Sequence, residues 1–287
     1  MIENSLDKII EDALREDIGM GDVTSESTID ENQISRAIII VKESGILSGI
    51  EIIPRIFSLV DDEIEIKIDF ESGSLITNKT IVANIIGPTR GILMGERVAL
   101  NFLQRMSGIA TLTHKFVHAV SHTKAKITDT RKTAPLLRLT DKISVHHGGG
   151  VNHRFGLDDM VLIKDNHISA VGSIEKAIVT VNNYLSEKNL NLKIEIEVDS
   201  IEQLKQVLSI GKVNRIMLDN FLIDEMKIAV QMINNKFEVE ASGKVNLQTV
   251  KEIAETGVDF ISIGALTHSV KALDISLEII ETYARKN

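Results

Sequence analysis

A chain of 287 residues with formal charge −9, no cysteine and no tryptophan cannot rest on disulfides, thiolate metal sites or a cysteine nucleophile. Its acidic balance and 3% aromatic content also argue against nucleic acid as the main partner. The acidic, amphipathic opening is not a signal peptide, and no apolar run approaches the roughly 20 residues of a membrane span, so a soluble cytoplasmic protein is expected.

In chain order, residues 6–14 carry apolar side chains at helical spacing. Residues 16–28, rich in Gly, Asp, Ser and Thr, read as a turn. A strand over 37–41, a helix near 49–60, a period-two strand over 63–70 and another over 80–87 make a small α+β unit. The spacing then predicts a helix over 89–106, a break at Ser107-Gly108 and a second helix to about residue 121. On the first of these, Arg97 lies beside an apolar stripe that includes Leu93 and Leu100.

From Lys126 the pattern changes to short Ile-, Val- and Leu-rich strands: KITDT, MVLI, KIEIEV, RIML, KFEVE and DFISIG. Helical stretches separate the last four, so a parallel sheet with right-handed crossovers follows, open or closed into a barrel. Glu197, Asp219, Ser242 and Gly264 end successive strands at intervals of 22, 23 and 22 residues, and Arg131 and Lys164 end the two before them. In a β/α barrel those ends share one rim, where active sites form. Residues 270–279 alternate again, as a strand returning to the first sheet would.

The stretch 126–167 holds seven basic and five acidic residues in this acidic chain, with four of its eight histidines. Such local positive density suits a small, highly charged anion. In DTRKT, Arg131 offers a planar fork for carboxylate and Lys132 a compact charge for phosphate. In HHGGGVNHR, three glycines let backbone N–H groups approach a ligand, and His153 and Arg154 add donors. A metal held by His146, His147 and His153 is disfavoured, because neighbouring histidines on a strand point apart and no carboxylate stands at ligand spacing. Lys164 is open to two roles, a Schiff-base amine or an electrostatic anchor. Glu197 and Asp219 suit Mg²⁺ or ribose hydroxyls, and Ser242-Gly243 with Gly264 suit a phosphate.

The joint motifs ERVALNFLQRMSGIAT, DTRKTAPLLR, HHGGGVNHRFGLDDMVLIKDNH, EIEVDS, MLDNF and ASGKVNLQTVKEIAETGVDFISIGALTHS resemble quinolinate phosphoribosyltransferase. The resemblance implies an α/β fold, an N-terminal α/β sandwich over 1–107 rejoined by 269–287, and an incomplete parallel barrel of about six strands over 108–268. It implies transfer of phosphoribose from phosphoribosyl pyrophosphate to quinolinate with decarboxylation, giving nicotinate mononucleotide, pyrophosphate and CO₂, with Mg²⁺, for NAD synthesis. Arg131, His153, Arg154 and Lys164 would hold the quinolinate carboxylates, with Arg97 donated by the partner of a homodimer or larger homo-oligomer. Thr130 and Lys132 would meet the phosphoribosyl pyrophosphate. Glu197 and Asp219 would hold ribose hydroxyls and the metal, and Ser242, Gly243, Lys244, Ile263, Gly264 and Ala265 the 5′-phosphate. Lys132, Glu197 and Asp219 are the expected catalytic residues.

Two positions depart from the family pattern: Pro135-Leu136 stands where Pro-Gly is usual, and Lys244 where a small or neutral residue is. The rival readings are a molybdenum-transport-associated relative of the same fold, a Schiff-base aldolase using Lys164, and a non-catalytic anion-binding homologue.

Overall fold

The computed structural model describes residues 2–284. In chain order its first half comprises α1 (Ile2–Ile18), α2 (Val23–Thr28), β1 (Gln33–Val41), β2 (Gly45–Ile46), α3 (Ile53–Val60), β3 (Glu65–Ile68), β4 (Leu75–Ile76), β5 (Ile81–Pro88) and α4 (Thr89–Val120). The second comprises β6 (Lys126–Thr128), α5 (Arg138–His147), β7 (Val161–Ile163), α6 (Asp165–Val171), α7 (Ile174–Glu187), β8 (Ile194–Val198), α8 (Ile201–Ile210), β9 (Arg215–Asp219), α9 (Ile223–Ile233), β10 (Glu238–Ser242), α10 (Val250–Glu255), β11 (Phe260–Ser262), α11 (Ala265–His268) and β12 (Ile275–Ala284). These elements form two compact units. One holds the stretches up to His114, Thr133–Gly149 and from Leu266 onward; the other holds Lys115–Lys132 and Gly150–Ala265.

The first unit is built on an antiparallel sheet of order β12-β1-β5-β3. Ile39, Val41, Val82, Ile85, Ile53, Phe57, Ile92 and Leu103 are among the buried residues of its core, which is aliphatic as the composition requires. β12 pairs with β1, so the chain end does return to the first sheet. It begins at Ile275 rather than near residue 270, and its alternation fails beyond Leu277. The cause is a register shift: Ala37 faces Ile279 but Arg36 faces Glu281, and both Ile279 and Ile280 are exposed.

Two other expectations are corrected here. α4 runs unbroken through Ser107-Gly108 for 32 residues. The Ser-Gly pair marks close packing instead of a break: a Cβ on Gly108 would lie 2.3 Å from the Lys271 carbonyl oxygen, and Ser107 Oγ accepts the Ser48 N–H. Residues 16–28 are mostly helical rather than a turn, because Asp22 caps α2 by accepting the Thr24 and Ser25 N–H groups.

Residues 133–149 group with this first unit, although barrel strands flank them in sequence. Buried Asp141 takes a two-pronged ion pair from Arg105, at 2.9 and 2.8 Å. His146 and His147 end a helix, not a strand, and Ser48 Oγ lies 2.8 Å from His147 Nδ1. Gly148 is tight against α4, where a Cβ would meet the Ala110 oxygen at 2.5 Å, and Gly149 is left-handed at φ 88°. The glycine run therefore ends a helix and packs it.

The second unit is a six-stranded parallel sheet of order β6-β11-β10-β9-β8-β7. All six strands expected from Lys126 onward are present. β6 and β7, consecutive strands of the sheet in sequence, lie at its opposite edges, so the barrel is incomplete. α7 lacks a counterpart in the sequence reading, though Ile174, Ala177, Ile178 and Leu185 give it a buried stripe at helical spacing.

Gly108→Ala places a methyl group inside contact distance of a backbone carbonyl that cannot rotate away. It is expected to destabilise the first unit by about 1–3 kcal/mol or more. Calorimetric melting should show a lowered Tm, whereas an unchanged Tm would mean the Lys271 segment moves aside freely.

Candidate active site

The sheet register decides which side chains share the barrel interior. Glu195 stands level with Arg215 and Leu162, Glu197 with Met217, and Asp219 with Ser242. Side chains two apart on a strand point the same way. Glu195 and Glu197 on β8, Arg215, Met217 and Asp219 on β9, and Glu238, Glu240 and Ser242 on β10 thus share one face. Ile194, Ile196 and Val198 are buried on the other. The interior is a stack of charged layers where barrels usually carry branched aliphatics.

At the carboxyl ends of the strands, Lys164 Nζ lies 3.4 Å from Glu197 Oε2. Burial chiefly raises the Glu197 carboxyl above its ordinary range, opposed by Lys164 and reinforced by Asp219. His167 Nδ1 accepts the Lys164 N–H at 3.0 Å, fixing the backbone that carries this lysine. On β9 and β10 the strands close tightly. The Asn220 N–H donates to the Ser242 oxygen at 2.9 Å, and a Cβ on Gly243 would meet Asn220 Oδ1 at 2.3 Å. Gly243 and Lys244 both have positive φ, 97° and 50°. The Ile263 N–H donates to the Thr128 oxygen, joining the end of β11 to β6.

The cationic side is built from DTRKT and NHR. Asp129, fully buried, accepts the His153 N–H at 2.8 Å and lies 3.4 Å from Asn152 Nδ2, tying these two segments together. Burial pulls the Arg154 guanidinium below its ordinary value, nearby Arg131 pulls it further, and Glu195 and Asp159 oppose. Arg131 Nε is buried and has no hydrogen-bond partner. A buried guanidinium N–H without an acceptor, next to a second guanidinium, is an arrangement completed by an anion.

Beneath them lies a cluster that the sequence reading did not assemble. His153 Nε2 is 2.9 Å from Glu195 Oε2 and 3.5 Å from Glu240 Oε1, and Arg215 Nη1 is 2.8 Å from Glu240 Oε2. Burial pushes both carboxyls up to about 7, with Arg215 opposing in each and Glu195 adding to the shift at Glu240. Candidate ligand atoms of His153, Glu195 and Glu240 lie within 4.8 Å of one another, the spacing of a possible metal site. The histidine argues against one. Its Nδ1 accepts the Arg154 N–H at 2.8 Å, so Nε2 carries the proton and points it at Glu195. A metal-bound histidine instead donates from its second nitrogen.

The expected site residues thus fall into groups. Arg131, Arg154 and Glu195 interact, as do Lys164, Glu197 and Asp219, all in the second unit. Thr130 Oγ1 accepts the N–H of exposed Lys132 at 3.0 Å. Ile263 and Gly264 join the end of β11 to α11, which begins at Ala265. His153 is 9% exposed with both ring nitrogens engaged inside the chain. Arg97 lies on α4 in the first unit, its side chain 57% exposed, with Glu96 3.9 Å away. Asp129, Arg215 and Glu240 were missed; for Arg215 and Glu240 the signal is charge on one face of a short, otherwise buried strand, whereas Asp129, just after β6, carries no such signal. At the opposite mouth of the barrel a cavity of about 620 Å³ is lined by Lys124, Lys126, Lys193 and Lys236. Two of these lysines are already paired, Lys124 with Asp259 and Lys193 with Glu238. That mouth also lies at the strand starts, away from where barrels place chemistry.

Comparison with known proteins agrees with this arrangement. Residues 22–107 match the N-terminal domain of quinolinate phosphoribosyl transferase and residues 109–278 its C-terminal domain. The chain is 46% identical over 289 residues to the chloroplastic nicotinate-nucleotide pyrophosphorylase [carboxylating] of Arabidopsis thaliana, covering 96% of this chain and 82% of that one. It is 40% identical over 274 residues to the probable carboxylating nicotinate-nucleotide pyrophosphorylase of Bacillus subtilis, covering 96% and 93%. The solved nicotinate-nucleotide pyrophosphorylase of Francisella tularensis superposes with a TM-score of 0.91 at 37% identity, covering 96% of each chain.

The buried carboxyls give the barrel a pH dependence of definite sign. Glu240 folds with its pKa raised to about 7 from an ordinary value of 4.5. Its stabilising proton is fully present below the unfolded value and lost as pH rises through the folded one. Tm should therefore fall between about pH 5 and pH 8, and Glu240→Gln should flatten that fall. A slope identical in wild type and variant would show that Glu240 does not carry the effect.

Proposed function

The chain belongs to the quinolinate phosphoribosyltransferase family, and we propose that it converts quinolinate and phosphoribosyl pyrophosphate to nicotinate mononucleotide, pyrophosphate and CO₂ for NAD synthesis. The observation that carries this reading is the buried, partnerless Nε of Arg131 beside Arg154, whose charge burial and Arg131 both disfavour. Quinolinate brings two carboxylates to two such forks. Lys164 adds a third positive charge, and Arg97 a fourth from the partner subunit.

The chemistry then asks little of the protein in proton transfer. The pyridine nitrogen attacks C1 of the ribose as pyrophosphate leaves, and positive charge growing at C1 is opposed by Glu197 and Asp219. The nitrogen, now quaternary, withdraws electrons from C2. The C2 carboxylate departs as CO₂, its bonding pair stays on C2, and a solvent proton ends the step. Arg131 and Arg154 hold the ring so that nitrogen and C1 meet, a contribution from positioning and preset charge. Lys132 pairs with the phosphoribosyl pyrophosphate near Thr130, while residues 242–244 and 263–265 surround its 5′-phosphate.

Glu197 and Asp219 fit Mg²⁺: both are oxygen donors, and Asp219 adds to the burial that raises the Glu197 carboxyl. When bound, the ion offsets the charge of the pyrophosphate group. The Schiff-base alternative is less well supported, because half-exposed Lys164 sits in an ion pair with Glu197. Among the described residues no helix is long and apolar enough to cross a membrane. We assign the protein to the cytoplasm, where a chain without cysteine needs no oxidising surroundings.

Release of CO₂ from quinolinate, dependent on both phosphoribosyl pyrophosphate and Mg²⁺, tests the activity directly. Arg131→Ala, with circular dichroism unchanged, should lower kcat/KM for quinolinate by on the order of 10²–10³-fold, as expected for removing one partner of a buried charge pair. Normal kinetics in that variant would refute its role. For the shared site, Arg97→Ala and Arg131→Ala should each be inactive alone. Mixed and reassembled, they should recover about a quarter of wild-type activity, since half the dimers are mixed and each mixed dimer has one intact site. No recovery on subunit exchange would place Arg97 outside the partner's site.

A further inference from the structure

The buried carboxyls of Glu195 and Glu240 have no part in the transfer or the decarboxylation, yet they occupy the centre of the barrel. Both are 0% exposed, and one oxygen of each, Oε1, lacks a hydrogen-bond partner. Replacing such a charged cluster with aliphatic side chains is generally neutral or stabilising, so stability alone gives no reason for it. Its reason lies in what it holds.

A continuous chain of contacts leads from this cluster to the substrate anchors. Arg215 Nη1 donates to Glu240 Oε2 at 2.8 Å, and its guanidinium lies 3.8 Å over the Phe260 ring, so Glu240 is held from below. Glu195 Oε2 and Glu240 Oε1 face one edge of the His153 ring, at 2.9 and 3.5 Å from Nε2. The opposite edge, Nδ1, accepts the Arg154 N–H at 2.8 Å. The His153 N–H is bound by Asp129, two residues before Arg131. Arg154 Nη1 reaches the Met160 carbonyl at 3.1 Å, which leaves its other nitrogens for a ligand. The ring is clamped at both nitrogens, with its proton on Nε2.

We propose that Glu195, backed by Glu240 and Arg215, is a positioning residue for the quinolinate pocket: its Oε2 accepts the His153 Nε2–H and fixes the tautomer and tilt of that ring, and His153 in turn fixes Arg154. His153 on this account is a strut beneath the substrate and contributes no ring nitrogen to it. The inference rests on reading Arg131 and Arg154 as the anchors of the quinolinate carboxylates. It predicts an effect confined to one substrate, because phosphoribosyl pyrophosphate is bound by Lys132, Glu197, Asp219 and the 242–244 and 263–265 loops.

The test uses the full-length protein and two variants, Glu195→Leu and Glu195→Gln, with KM measured separately for each substrate. Glu195→Leu removes the acceptor and should raise KM for quinolinate on the order of 10- to 100-fold, as a small misplacement of an anchoring group does. KM for phosphoribosyl pyrophosphate should stay within about twofold. Glu195→Gln keeps a carbonyl acceptor in a group of the same shape and should recover most of that loss. Equal changes in both KM values, or a lowered Tm with both unchanged, would overturn the proposal. If the leucine variant does not fold, imidazole ¹⁵N–¹H spectra of the wild type decide. A neutral His153 protonated on Nε2 supports the clamp, and a proton on Nδ1 or a doubly protonated ring overturns it. Wild-type protein that releases no CO₂ from quinolinate would instead refute the parent reading, and the spectra would still report on the clamp.

Discussion

Two half-buried guanidinium groups held near each other are the constraint around which the barrel is built. At about 4 Å a pair of unit charges interacts by roughly 1 kcal/mol in water but about 4 at an effective dielectric of 20. The same factor that makes such a site attractive to a dianion makes it repulsive when bare. Arg154 shows the strain, its charge disfavoured by burial and by Arg131. Glu195, one layer down, opposes that shift, although burial pushes its own carboxyl up to about 7. Glu195 and Glu240 then require Arg215, and Arg215 takes Glu238 as well. Each layer of alternating sign is there because the one above it is charged.

This explains why the carboxylates of the barrel divide by depth. Glu195 and Glu240 are sealed from solvent and hold a proton into the neutral range. Glu197 and Asp219 lie nearer the strand ends and are only partly buried, with Lys164 against the former. A fully sealed carboxyl can set geometry but cannot meet a ribose. A fully exposed one would meet it with its charge screened. Two steps of a β-strand, about 7 Å, separate the two roles.

Much of this could be read in the sequence, for a physical reason: parallel strands in a barrel must end at regular intervals, and the residue that ends each is placed by that count alone. The 22- and 23-residue spacing therefore sets Glu197, Asp219, Ser242 and Gly264 at or next to the carboxyl ends of their strands. What stayed hidden depends on pairing across sequence. Glu240 is one more charge in the strand KFEVE until Arg215 is found 2.8 Å away. Ser107-Gly108 reads as a helix break until the Lys271 carbonyl is seen lying against it. The His-Gly run reads as a ligand loop until α5 is seen to end there and pack on Ala110. Glycine signals a missing Cβ, and the sequence does not say whether a ligand, a turn or another backbone needs the room.

The two departures from the family pattern acquire a common meaning in the backbone. Leu136 has φ 66° and Lys244 has φ 50°, both in the left-handed region. A side chain there costs about 1–2 kcal/mol relative to a glycine. The family's glycine after Pro135 is thus explained by conformation, since Leu136 is 87% exposed and its side chain has no packing role to justify the strain. At Lys244 the same conformation follows Gly243, whose own φ of 97° and close contact with Asn220 fix the turn at the end of β10. The turn is thereby set by Gly243 and Asn220, and position 244 is free to vary in charge while the backbone stays in place. A lysine there adds positive charge at the loop assigned to a phosphate, and the backbone strain it carries is the kind that functional loops keep when the neighbouring contacts dictate their shape.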